Sequence, residues 1–290
     1  MILFFSPKND SDPQRLSNAL FDRFKQPVFI ERKTEISKEY VCDVWNIDRS
    51  LSREELVYLR QELHRFRKID LIQISSFIQG ESLFCFDMDS TLIREEVIDE
   101  LARFAGVYEE VAHVTKEAME GNLNFQEALQ KRCMYLKDLP VSVFDDLYFK
   151  LHPNHGVPEL FSGLKSKNAK TAVFSGGFTD ILERFKQEYS IDEVRANYLD
   201  REGDRLLGTV SGTVVDKNIK RDSLLELQSR FQIGTEKIVA VGDGANDQLM
   251  LEAAGLGIGF HAKEGLKSKI SNWIDFASMD VLLYLFEDLN

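Results

Sequence analysis

The sequence predicts an α/β fold: a parallel sheet covered by helices on both faces and carrying a helical cap, preceded by a small α+β domain. Three observations predict it. Short apolar runs at residues 83–86, 171–174, 238–241 and 257–260 alternate with helical patterns. Continuously apolar strands interleaved with helices belong to a sheet buried on both sides. The first eighty residues follow a different order, β-α-β-β-α-β. Finally, about 85 residues separate Asp89 from Ser175, far more than a strand-to-strand crossover requires, and helical patterns fill the gap.

The elements of the first unit are each justified locally. Residues 1–5 are an apolar run that reads as a strand; the run is too short, and lacks the basic flank, for a signal peptide. Asp12-Pro13 predicts an N-cap with Pro at N1, and Leu16, Leu20 and Phe24 follow at helical spacing to about Lys25. Residues 27–36 and 40–47 are strand candidates, the latter with Val41, Asp43, Trp45 and Ile47 on one parity. Ser52 with Glu55 forms a capping-box pair, and Leu56, Leu59, Leu63 and Phe66 trace one helical face. Residues 71–78 close the unit as a strand. The order is ferredoxin-like and bounds a domain at residues 1–79, with only Gln79-Gly80-Glu81-Ser82 before the next strand. This order resembles the ACT domains, small regulatory modules that bind amino acids. In that family the ligand sites favour a Gly-bearing turn after the first strand. The turn here, Pro7-Lys8-Asn9-Asp10-Ser11, has no Gly, which favours a packing or dimerisation module over an effector site. A homodimer through this domain is compatible with that reading.

Composition excludes several classes of function. The formal charge is −12, from 36 basic and 48 acidic residues. Broad binding to nucleic-acid phosphates needs clustered Lys and Arg, so no nucleic-acid partner is expected. An anionic membrane surface would repel the chain, and no apolar run approaches the roughly 18 residues of a spanning helix. Cys42, Cys85 and Cys133 are odd in number and widely spaced, without CxxC. A disulfide framework or zinc cluster is therefore not expected, and a reducing cytoplasm is.

In the second unit the chemistry sits at strand ends. Three of the four apolar runs lead into polar turns: Asp87-Met88-Asp89-Ser90-Thr91, Ser175-Gly176-Gly177, and Gly242-Asp243-Gly244-Ala245-Asn246-Asp247. Ligands of open α/β sheets bind beyond the carboxyl ends of the strands, so these turns converge on one crevice. Asp87, Asp89, Asp243 and Asp247 would repel one another there unless a cation neutralised them. Oxygen ligands without His or Cys suit a hard ion such as Mg2+. Two glycines after Ser175 leave backbone N–H groups bare to an anion. With Lys220, just before the helical run Leu224, Leu225, Leu227, these groups make a phosphoryl site, in which an Asp can act as nucleophile.

Residues 80–290 resemble the haloacid dehalogenase (HAD) superfamily and, within it, the phosphoserine phosphatases. Four motifs carry the resemblance in order: Phe86-Asp87-Met88-Asp89-Ser90-Thr91; Phe174-Ser175-Gly176-Gly177-Phe178; Lys220; and Val241-Gly242-Asp243-Gly244-Ala245-Asn246-Asp247. The resemblance implies a HAD-like Rossmannoid sheet with a helical-bundle cap inserted at about residues 94–160. It implies that Asp87 attacks phosphorus and that Asp89 is general acid, then general base. Asp87, the main-chain carbonyl of Asp89, and Asp243 would hold Mg2+. Ser175, Gly176, Lys220 and Asn246 would bind the phosphoryl group, supported by Gly177 and Asp247.

The cap sets the substrate class. In the family a cap glutamate binds the substrate ammonium and a cap arginine its carboxylate. Glu96, nine residues after the nucleophile, and Arg132, in the stretch from Ala118-Met119-Glu120-Gly121 to Lys131-Arg132, match these positions. Met119 and Phe125 would line the pocket. An opposed Glu and Arg suit an amino-acid zwitterion, since Arg grips a carboxylate with two parallel bonds. The implied partner is a small molecule, phosphoserine; phosphothreonine and phosphohomoserine share its charges. Other patterns carry less. A calcium loop starting at Asp87 would need Gly at Leu92 and Glu at Ile98. Gly242-x-Gly244 lacks the third Gly of a dinucleotide fingerprint. His152 and His155 flank Pro153 with no third ligand nearby, and residues 195–215 read as a β-hairpin flap without a catalytic role.

Overall fold

The computed structural model describes residues 1–10, 17, 18, 20, 21, 24, 30–64 and 68–287. Strands β1 (Ile2–Pro7), β2 (Ile30–Lys33), β3 (Tyr40–Trp45) and β4 (Asp70–Gln73) form the N-terminal unit. They are followed by β5 (Leu83–Phe86), β6 (Lys170–Phe178), β7 (Glu193–Glu202) and β8 (Arg205–Ser211). The last three are β9 (Ile238–Gly242), β10 (Leu256–Phe260) and β11 (Trp273–Ile274). All join one sheet in the order β2-β3-β1-β4-β11-β10-β9-β5-β6-β7-β8. Its first four strands are antiparallel in the ferredoxin-like order 2-3-1-4. From β11 to β7 neighbouring strands are parallel.

The apolar start of the chain is buried on both faces, and period-two geometry says where each residue goes. Ile2 and Phe4 pack with Leu20, Trp45, Leu56, Leu59 and Leu63 under the helices of this unit. Leu3 and Phe5 point to the opposite face, into the main core, with the 3-10 segment Met279–Leu285. Ser52 caps the helix Arg53–His64 as expected: its N–H donates to Glu55 Oε2 at 2.9 Å and its Oγ accepts from Glu55 N at 3.3 Å. The expected helix near residues 12–25 is described at 17, 18, 20, 21 and 24, all helical, while Asp12, Pro13, Leu16 and Lys25 lie outside the described residues, as does Phe66. The strand expected at 71–78 is shorter. Ile74 still exchanges two 3.0 Å hydrogen bonds with Met1, and beyond it, among the described residues, Ile78 forms an isolated bridge to Phe286.

The N-terminal sheet continues directly into the parallel sheet through Leu71 of β4 and Trp273 of β11, paired antiparallel. Buried polar groups lock this seam. Arg60, 1% exposed, donates to the carbonyls of Trp273 (2.7 Å), Leu71 (2.5 Å) and Ser271 (3.3 Å) and lies 3.9 Å above the Trp273 ring. Burial lowers its pKa to about 10. The buried Asp70 carboxylate accepts the N–H groups of Asp275, Phe276 and Ala277 at 2.8, 2.9 and 2.7 Å. Close approach also explains a glycine: a Cβ on Gly255 would stand 2.1 Å from the Thr235 carbonyl oxygen.

Between β5 and β6 lies the helical cap: Val97–Ala105, Tyr108–Met119, Phe125–Met134 and Val143–Tyr148. Asn124 and Glu127 close a capping box on the third helix, each bond 2.9 Å. The hairpin β7–β8 reaches across to the cap. Asp138 N–H donates to Leu206 O (2.9 Å), Leu206 N–H to Leu139 O (2.9 Å), and Val141 N–H to Asp204 O (2.7 Å). The hairpin therefore braces the cap from the core side, a role that its sequence does not announce.

Arg60→Met keeps the apolar stem and leaves the buried carbonyls of Trp273 and Leu71, and the partly buried one of Ser271, without this donor. Unsatisfied buried groups cost about 1–3 kcal/mol each, partly relieved by relaxation. Urea unfolding of this variant is expected to show a loss of about 2–4 kcal/mol; a loss below about 0.5 kcal/mol would mean that the seam does not rest on this side chain.

Candidate active site

Three strand ends and one helix N-terminus build the site. Asp87 follows β5, and its N–H extends the ladder by donating to Val241 O at 2.9 Å. The chain then turns sharply. Ser90 takes φ 57°, in the left-handed region, and Leu92 N–H closes the turn on Met88 O at 2.8 Å. Asn154, on the return path from the cap, donates to Thr91 O at 2.7 Å and so fixes that loop. Asp216 caps the helix Lys217–Phe231 by accepting from Asn218 N (2.8 Å) and Ile219 N (3.0 Å), which places Lys220 in its first turn.

Lys220 is 0% exposed, and its ammonium lies 2.6 Å from Asp87 Oδ1 and 2.7 Å from Asp247 Oδ1. Asp247 Oδ2 accepts the N–H groups of Asp243 and Gly244 at 3.1 and 3.0 Å. Both its oxygens are thus committed, and Asp247 organises the turn. Gly242 is required beneath it, because a Cβ there would meet Asp247 Cβ at 2.5 Å. Ser175 Oγ accepts from Gly177 N (2.8 Å) and donates to Asp89 Oδ2 (3.2 Å). Asp89 Oδ1 accepts the N–H of Val97 at 3.1 Å. Glu96 accepts from Ser90 Oγ at 2.9 Å.

The electrostatics follow from crowding. Burial, then Asp247, raises the pKa of Asp87 well above the carboxylate range, while Lys220 pulls it down. For Lys220 burial acts to lower the pKa, but Asp247 and Asp87 outweigh it and the net shift is upward. Burial and then the Glu96 carboxylate lift Asp89 to about 7. Burial lifts Asp243 to about 6, opposed by Lys263. Carboxylate oxygens of Asp87, Asp243 and Asp247 lie within 4.8 Å of one another, all buried. One buried ammonium serves two of these acids, so the trio keeps an excess of negative charge. An all-oxygen donor set with that excess fits a hard divalent cation.

A cavity of about 350 Å³ opens above these groups and gathers Asp87, Asp89, Glu96, Phe125, Arg132, Gly176, Gly177, Asp243 and Asn246. Every residue that the sequence singles out for catalysis or for the substrate therefore lies in the cavity wall or, like Ser175 and Lys220, directly behind it. Phe125 lies over Gly176, whose added Cβ would come within 3.1 Å of the ring. Met119 touches the cavity but is 85% exposed, on the rim. Arg132 is tethered through Nε to Ala128 O at 3.3 Å.

Sequence reasoning missed four contributors. Lys263 sits at the end of β10, 2.9 Å from Asp243 Oδ2 and 3.6 Å from Glu96 Oε1. The strand-end rule applied to the fourth apolar run would have found it. Buried Asn197 holds the Ser175 loop, donating to Gly176 O at 2.7 Å and accepting from Val215 N at 2.9 Å. Asp99 and Thr115 also face the cavity, and their ordinary helical context gives no signal.

The comparisons agree with this geometry. The family model "haloacid dehalogenase-like hydrolase" matches residues 82–255. A phosphoserine phosphatase of Archaeoglobus fulgidus is 42% identical over 234 residues, covering 80% of this chain and 67% of that protein. A HAD family hydrolase from Salmonella enterica subsp. enterica serovar Typhi superposes with TM-score 0.91 at 29% identity, covering 100% of this chain and 99% of that one. A structure described as a phospho-aspartyl intermediate analogue of phosphoserine phosphatase superposes with TM-score 0.67 at 41% identity, over 72% of this chain and 100% of the other. Motif order, strand-end acids and these likenesses converge: the chain belongs to the haloacid dehalogenase-like hydrolases and, among them, to the phosphoserine phosphatase family.

Proposed function

We propose that the chain hydrolyses O-phospho-L-serine to L-serine and phosphate, the last step of serine biosynthesis, through an aspartyl-phosphate formed on Asp87. The observation that carries this reading is the meeting of Asp87, Asp89, Glu96 and Arg132 in one cavity, with Lys220 behind it. Support comes from the phosphoserine phosphatases among its relatives and from the phospho-aspartyl analogue of one of them.

Each residue has a derivable task. Lys220 opposes the rise in the Asp87 pKa that burial and Asp247 cause, so it favours the anion, and it orients the carboxylate by holding Oδ1. In the first step an Asp87 oxygen bonds to phosphorus, the bond from phosphorus to the serine oxygen breaks, and Asp89 gives its proton to that oxygen. Its raised pKa keeps the proton on Asp89 near neutrality. In the second step Asp89 takes a proton from water as the water oxygen attacks phosphorus and the Asp87–phosphorus bond breaks. Ser175, the Gly176 amide and Asn246 hold the phosphoryl oxygens. Glu96 takes the substrate ammonium and Arg132 its carboxylate, while Phe125 and Met119 restrict the pocket. Asp87, the Asp89 carbonyl and Asp243 would hold Mg2+, with Asp247 and Gly177 shaping the turns behind them. When bound, that ion supplies positive charge against the phosphoryl oxygens.

Residues 1–79 are proposed as a ferredoxin-like domain that pairs the chain into a homodimer, and 80–290 as the phosphatase with its cap at about 94–160. A cytoplasmic location fits three free, buried cysteines. Among the described residues no helix is long and apolar enough to cross a membrane.

Phosphate release from phosphoserine, phosphothreonine and phosphohomoserine with Mg2+ is expected to be fastest for phosphoserine. Asp87→Asn should lower it at least 10³-fold, an order-of-magnitude expectation for loss of the nucleophile. Full activity in that variant would end the reading. The pH profile gives a second check. Asp89 must be protonated in the first step, so kcat/KM should fall as pH rises through about 7. Because Glu96 contributes to that raised value, Glu96→Gln should move this limb to lower pH while raising KM.

A further inference from the structure

Lys263 is a cation that neither the motifs nor the proposed chemistry uses. Its backbone is fixed: the N–H donates to Asp243 O at 2.9 Å, and the residue precedes the short helix Glu264–Lys267. Its side chain is 63% exposed, so it is a tethered rather than a buried charge. Its Nζ nevertheless lies 2.9 Å from Asp243 Oδ2, on a carboxylate that is itself 5% exposed, and 3.6 Å from Glu96 Oε1. These two acids have different assignments, one to the metal and one to the substrate ammonium.

We propose that Lys263 is an internal counter-ion shared by Asp243 and Glu96, which the divalent cation and the substrate ammonium each displace. The inference rests on the functional reading above, because it needs Asp243 to be a metal ligand and Glu96 an ammonium site. The physical argument is competition. The ammonium and a divalent ion bond the same carboxylate of Asp243, and the lysine arrives at the effective concentration of a tether, in the millimolar range. Apparent affinity for the ion is lowered by the fraction of molecules in which the carboxylate is taken. The same ammonium keeps Asp243 paired in chains without the ion, and burial makes an unpaired carboxylate costly. A lysine suits this task better than arginine at such a site, because its point charge on a flexible stem leaves readily, whereas the planar fork of arginine holds a carboxylate with two bonds.

Lys263→Met keeps the length of the side chain and removes the charge. With the full-length protein and magnesium chloride as the probe, calorimetry without substrate should show a 3- to 10-fold tighter Mg2+ Kd, an order-of-magnitude range for a tethered competitor. Chelator-treated Lys263→Met should melt below chelator-treated wild type, and saturating Mg2+ should erase the difference. Lys263→Arg should melt like wild type under chelator and bind Mg2+ no more tightly than wild type. Equal or weaker Mg2+ binding in Lys263→Met would overturn the proposal while leaving the metal site intact. Tighter binding with no loss of melting temperature under chelator would also overturn it, because remote repulsion alone would then account for the gain. A wild-type chain that takes up no Mg2+ would overturn the metal assignment together with the lysine's role.

Discussion

The bridge from Lys220 to Asp87 and Asp247 is the constraint on which the rest of the molecule depends. Three charged groups with almost no exposure meet through two contacts of 2.6 and 2.7 Å. Burying an isolated charge costs several kcal/mol, and such a group stays ionised only when its neighbours compensate it. Here the compensation is spread along the chain, since Asp87, Lys220 and Asp247 stand far apart in sequence. The parallel order β10-β9-β5-β6 brings the ends of β5 and β9 side by side, and the Asp216 cap starts a helix where Lys220 can reach both. The sheet, the cap residue and the two acids are therefore one design. Loss of register in β5 or β9 would separate the charges as surely as substitution would.

The N-terminal unit is tied to this core more closely than a βαββαβ order suggests. Its free face is not solvent-exposed: Leu3 and Phe5 enter the main core beside the segment Met279–Leu285. Arg60 and Asp70 satisfy main-chain groups of the chain near residues 271–277. A small sheet hydrogen-bonded edge to edge with a large one has lost the exposed edge at β4 through which isolated sheets aggregate. The seam also holds β11 and the start of the C-terminal segment in place, and β11 is the strand that borders β10.

Much of this was legible in the sequence because it obeys local rules. The four apolar runs became β5, β6, β9 and β10, since a strand buried on both faces leaves no choice of residue type. The acids and Ser175 were legible because they follow apolar strand runs, and Lys220 because it completes the order of motifs that carries the family resemblance; alone it would read as a solvated surface lysine. Other features were hidden for physical reasons. Strand β11 is two residues long, too short for any period to register. The junction between the two sheets depends on the pairing of Leu71 with Trp273, a non-local choice that no window of sequence contains. Arg60 shares the buried face of the helix Arg53–His64 with Leu56 and Leu63, where an arginine is not expected, and the converging carbonyls explain its burial. Asn197 and Lys263 act through loops that become neighbours only after folding.

Glu96 and Arg132, proposed to hold the two charges of the substrate, stand on different parts of the fold. Glu96 stands at the start of the cap, beside the core: it precedes the first cap helix and accepts a hydrogen bond from Ser90, in the turn that carries Asp89. Arg132 belongs to the body of the cap, on the helix Phe125–Met134. A zwitterion held by both therefore ties the cap to the core through its own charges, and the ammonium end of that tie also touches the environment that sets Asp89. An ammonium that neutralised Glu96 would remove one of the two influences that raise the Asp89 pKa and leave the other, burial. On the proposed roles, substrate binding would thus leave burial as the influence that holds a proton on Asp89.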